Sequence, residues 1–66
     1  KVAADATLVA RIQRGLSKVY ADITVDGVAG EGTRQSIRNF EKHYNLPQTG
    51  EPNERVLKKL KEIGAL

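Results

Sequence analysis

No cysteine, methionine or tryptophan occurs in this 66-residue chain, and its aromatic and imidazole groups are one phenylalanine, two tyrosines and one histidine. Without cysteine there is no disulfide framework. His43 alone cannot supply a clustered Cys/His zinc site, so helix packing has to brace a fold near the size at which a single core only just outweighs chain entropy. One histidine also supports no Ser/His/Asp set. The carboxylates Asp26, Glu31 and Glu41 show no paired spacing of the kind used for acid and base work, so no catalytic residue and no cofactor is expected. No apolar run approaches the roughly 18 residues of a membrane helix, and nothing has the form of a signal peptide, so no membrane insertion is expected of this segment. Charge is also modest. Eleven Lys and Arg against eight Asp and Glu leave +3, which favours anionic partners without the strongly basic surface of many nucleic-acid binders. The chain opens on Lys1, which suggests a fragment or processed product of a larger protein.

What is present is helical periodicity interrupted by glycine. Leu8, Val9, Ile12, Leu16, Val19 and Tyr20 recur at helical spacing, so helix one is expected from Leu8 to Ala21 with Asp5 or Thr7 at its cap. Residues 22 to 25 read as an extended connector. Asp26-Gly27 is a turn dipeptide, and Gly27, Gly30 and Gly32 crowd the entry to helix two. They do not make a phosphate loop. Gly32-Thr33-Arg34 lacks the lysine of a Walker motif, and the order of the glycines reverses the dinucleotide fingerprint. Helix two, with Glu31 in its first turn, is expected to run to about Tyr44 and to bury Ile37, Phe40 and Tyr44. Arg34, Arg38 and Lys42 form a basic ridge beside that stripe, and Glu41 falls between the two faces. Two prolines and Gly50 between Asn45 and Pro52 end helix two in an ordered loop pinned by Leu46. Asn53 caps helix three, which buries Val56, Leu57, Leu60 and Ile63, carries Lys58, Lys59 and Lys61 toward its C-terminal end and stops at Gly64.

A short internal repeat runs through this order. Ile12-Gln13-x-x-Leu16 is echoed by Phe40-Glu41-x-x-Tyr44, and each is followed by a turn ending in glycine, Asp26-Gly27 or Thr49-Gly50, and then by a helix. The expected fold is all-α: a compact three-helix bundle with ordered Gly-rich and Pro/Gly loops.

The ordered set Ile12-Gln13-Arg14-x-Leu16, Val25-Asp26-Gly27-x-x-Gly30-x-x-Thr33, Ile37-x-x-Phe40-Glu41-x-x-x-x-Leu46-Pro47-x-Thr49-Gly50 and Leu57-x-x-Leu60 resembles the small helical peptidoglycan-binding domain of bacterial cell-wall proteins. The resemblance covers residues 8 to 60. It implies a single domain over residues 1–66, with its core at 8–64, as part of a larger envelope protein in the periplasm or outside the cell. It further implies a noncatalytic module, monomeric in isolation, that binds peptidoglycan stem peptide or glycan and holds a linked or partner wall enzyme there. Ala29 stands where the family usually has an aromatic, Glu31 where proline is common, and Phe40-Glu41 replaces Phe-Gln.

The ligand-binding candidates are Gln13, Tyr20, Asp26, Gly27, Arg34, Arg38 and Glu41. Gln13 and Glu41 either lock a turn to a helix through its backbone or reach the muropeptide. Asp26 and Gly27 form an Asx-type turn that is also a candidate groove rim. Arg34 and Arg38 suit stem-peptide carboxylates, because a guanidinium fork binds them with two parallel hydrogen bonds. Tyr20 is a core residue or, where exposed, a sugar-stacking platform. The alternative function is a protein-docking module of the same fold. Nucleic-acid binding through a helix-turn-helix is disfavoured by the ten-residue, glycine-rich connection between helices one and two, against a turn of 3 to 4 residues in that motif.

Overall fold

The apolar periodicity is realised as three helices. The computed structural model describes residues 6–20 and 23–66, in which α1 spans Ala6–Leu16, α2 Glu31–His43 and α3 Glu54–Glu62. Each contributes one stripe to a common core: Ile12 and Leu16 from α1, Ile37 and Phe40 from α2, Val56, Leu57 and Leu60 from α3. Leu46 packs on this core and pins the second loop. The α1 helix lies chiefly against α3. Gly15 permits that approach, since a Cβ there would stand 2.9 Å from Leu60 Cδ1 and 3.1 Å from Leu66 Cγ.

Helix ends follow from local chemistry. Asn53 caps α3 by accepting a hydrogen bond from the Val56 N–H at 3.0 Å, which satisfies a donor that has no partner within the helix. At the end of α2, Leu46 N donates to Glu41 O and Asn45 N to Lys42 O. This is the paired closure of a Schellman motif, with Asn45 at φ 59° as its left-handed residue. The end of α3 repeats it through Ala65 N to Leu60 O and Gly64 N to Lys61 O.

Helix one departs from its sequence reading. It closes at Leu16, and the chain continues through turns in which Lys18 N donates to Gly15 O and Val19 N to Leu16 O, before Tyr20 N also donates to Leu16 O. Such i→i−3 bonds advance each residue by about 120° instead of 100°. Val19 therefore leaves the buried stripe and is 39% exposed. The expected end at Ala21 and the start of the connector at Asp22 lie outside the described residues, as does the Asp5 cap. Thr7 sits inside the first turn of α1 and is not its cap. From Ile23 to Val25 the connector has neither helix nor strand. None of the helices is long and apolar enough to cross a membrane, among the described residues.

Candidate functional site

Both glycine turns are held by a buried side chain from a helix. Gln13, on α1, is 0% exposed. Its Oε1 accepts from Asp26 N at 3.0 Å and from Gly27 N at 2.8 Å. Its Nε2 shares two protons among Asp26 Oδ1 at 2.9 Å, Val28 O at 3.0 Å and Thr33 Oγ1 at 3.0 Å. This census fixes the orientation of the amide, because the opposite flip would set its oxygen against a carboxylate and a carbonyl. One side chain thus joins α1, the turn and the first turn of α2.

Glu41, on α2, does the corresponding work at the second loop and is also 0% exposed. Its Oε1 accepts from Thr49 N at 2.8 Å and Gly50 N at 2.9 Å, and its Oε2 accepts from Thr49 Oγ1 at 2.8 Å. Three donors offset the cost of burying the carboxylate. The two glycines share a backbone state as well, Gly27 at φ 74° and Gly50 at φ 68°, a region that L side chains rarely occupy.

Asp26 completes the first turn. Its Oδ1 accepts from Val28 N at 3.0 Å, an Asx turn, and also receives the Gln13 amide. These bonds, the Val28 N–H foremost and the Gln13 amide next, hold its carboxyl below the usual range for an aspartate. Oδ2 receives no hydrogen bond from any described residue, and Asp26 is solvent-exposed.

Beside this turn lies an open cleft of about 310 Å³. The connector and turn form one wall through Ile23, Thr24, Asp26 and Val28; the start of α2 forms the other through Gly32, Thr33 and Ser36. Gly30, at the N-cap of α2, joins the two walls and places no capping side chain over the helix end. The polar lining is therefore hydroxyl and carboxylate. Among the described residues, no lysine or arginine belongs to it.

The candidate residues divide into three places. Gln13, Asp26 and Gly27 form one cluster, in which Asp26 faces the cleft and Gln13 stands behind the turn. Arg34, Arg38 and Glu41 gather at the second loop instead. Arg34 Nη2 pairs with Glu51 Oε2 at 3.3 Å and Arg38 Nη2 with Glu31 Oε2 at 3.9 Å, so both arginines of the basic ridge have acidic partners. The Arg38 side chain also covers Gly50, where an added Cβ would stand 2.7 Å from its Nη1. Tyr20 is half-buried and packs on the core; burial first, then neighbouring Tyr44, raises the pKa of its hydroxyl. Sequence reasoning missed Ile23, Thr24, Val28 and Ser36 as cleft residues. Val25 and Val28, exposed by 41% and 62%, were the available signal, being apolar side chains of a turn with no place in a helical stripe.

The family model described as "Putative peptidoglycan binding domain" matches residues 5–60 of the chain. No curated protein and no solved structure gives a significant match.

Proposed function

Because this chain belongs to the peptidoglycan-binding domain family, we propose that it is a noncatalytic wall-binding module that targets a linked protein to the polymer. The family is a binding domain and implies association with the cell envelope; the periplasm or the outer face of the cell is its proposed place. The match over residues 5–60 carries the reading. The open cleft beside α2, with hydroxyls able to meet sugar and peptide groups, supports it.

In this reading the ligand enters between connector and α2 and meets Asp26 and the backbone near Gly27. Gln13 and Glu41 act from behind, holding the loops in shape, since neither reaches the surface. Arg34 and Arg38 offer a cationic flank toward the second loop for carboxylates further along the stem peptide. Their present ion pairs are exposed and worth about 1 kcal/mol or less, so a ligand can displace them. Tyr20 supplies a partly open ring. A shallow site of this size reaches millimolar to micromolar affinity, about 4 to 8 kcal/mol, and tethering then concentrates the attached protein at the wall.

Co-sedimentation with purified sacculi tests the proposal: retention above that of an inert protein of equal charge is expected, and equal retention overturns it. The exposure of Val25 and Val28 favours a second reading, docking of an envelope polypeptide on the same face. Crosslinking that recovers one defined protein, with no retention on sacculi, would select it.

A further inference from the structure

The charge pattern of the cleft specifies which part of a stem peptide it can hold. We infer that the cleft takes a primary ammonium group, the side-chain amine of a diamino acid that has not been cross-linked, against Asp26. This inference rests on the reading that wall polymer occupies the cleft.

Three observations carry it. First, among the described residues the lining has a carboxylate and no cationic side chain: Asp26 shares its wall with Thr24 and faces Thr33 and Ser36 across the opening, and no described lysine or arginine belongs to the set. Second, Asp26 is held in place and only half used. Gln13 Nε2 and Val28 N both bind Oδ1, leaving Oδ2 without a partner among the described residues. Third, the hydroxyls of Thr24 and Ser36 take part in no hydrogen bond within the described residues, and Thr33 Oγ1 accepts from Gln13 while keeping its own proton. An ammonium group has three donors and no acceptor. Asp26 Oδ2 and two hydroxyl oxygens supply matching acceptors.

Among the described residues no cationic side chain lines the cleft for a carboxylate, and the uncapped N–H groups that open α2 stand beside the Asp26 carboxylate, which repels one. The guanidinium groups of Arg34 and Arg38 lie outside the cleft and are paired with Glu51 and Glu31. The hydrogen bonds that lower the Asp26 pKa also keep it ionised at neutral and mildly acidic pH. Cross-linking turns the amine into a neutral amide, which removes the charge that Asp26 reads. The module would therefore favour stretches of wall with free amines over cross-linked ones.

The test uses the 66-residue chain and two synthetic stem peptides, both blocked at the N-terminus. One contains lysine with its ε-amine free; the other is acetylated at that amine. Amide NMR titration is read at Thr24, Val28, Thr33 and Ser36. The free-amine peptide is expected to bind about fivefold more tightly, the upper range for a partly exposed charge pair. Asp26→Asn, which keeps the Oδ1 acceptor, should abolish that preference while leaving the unliganded spectrum native outside the turn. Equal affinities of the native chain for the two peptides, or an undiminished preference in Asp26→Asn, overturn the inference. Binding to sacculi without binding to either peptide overturns it too, but leaves the wall-binding reading standing. Failure on peptides and sacculi together removes both.

Discussion

The two glycine turns solve one problem with opposite chemistry. In each, a buried oxygen collects two consecutive N–H groups, the second belonging to a glycine in the left-handed region, and a helix begins four residues beyond that glycine. In each, the residue before the glycine turns its own side chain back on the chain: Asp26 Oδ1 accepts from Val28 N, and Thr49 Oγ1 accepts from Glu51 N. The difference lies in the remaining atom of the clamp. At the first turn it faces a carboxylate and a carbonyl, so it must donate, and the residue is Gln13. At the second it faces a hydroxyl, which can donate to it, and a glutamate serves. Complementarity between clamp and turn, not polarity alone, decides which residue each position accepts.

Exchanging the clamps should break this comparison most visibly. Gln13→Glu sets a carboxylate against Asp26 Oδ1 and Val28 O in a buried site, and about 3 kcal/mol or more of stability should be lost in urea unfolding. A loss below about 1 kcal/mol would mean that the donor side of the clamp is unimportant. The glycines come next. Ala at position 50 incurs the left-handed backbone cost and also meets Arg38, whereas at position 27 the nearest atom is Ala6 O at 3.5 Å. Gly50→Ala should therefore cost about 2 kcal/mol and Gly27→Ala about 1 kcal/mol, and thermal melting of the pair sharpens the contrast.

Glu41→Gln should cost about 1 kcal/mol or less, because an amide oxygen still accepts from Thr49 N and Gly50 N while its NH₂ finds Thr49 Oγ1 as an acceptor. A cost as large as that of Gln13→Glu would show that charge, and not the hydrogen-bond pattern, holds the second loop. The smallest effect concerns pH. Asp26 has its folded pKa lowered, so its contribution is complete above the ordinary carboxylate value and is lost as pH falls through the lowered one. Asp26→Asn should flatten that part of the stability–pH curve; an unchanged slope would argue against a stabilising ionised turn.

Much of this was legible in the sequence, for identifiable reasons. Helical stripes announced α2 and α3, and the repeat Ile12-Gln13 with Phe40-Glu41 indicated that the two polar residues occupy equivalent places. The full burial of Gln13 and Glu41 was not legible. It depends on loops that fold back across the helices, and an amphipathic count assigns such residues to an edge. The end of α1 was hidden because Val19 continues the helical spacing while the backbone tightens. The close contact at Gly15 was missed because a glycine has no side chain to enter a periodicity. The cleft itself lies between the connector and the start of α2, and no single motif encodes how two segments are spaced.

Gly15 has a consequence for how the molecule is made. It seats α1 chiefly on α3, so the first of the three helices to be made docks on the third. Until Leu60 emerges, α1 lacks its principal apolar partner, and Ile12 and Leu16 have only the α2 side of their core cluster. Folding of these three helices must then wait for α3, and a chain cut short before it would forfeit the first helix along with the third.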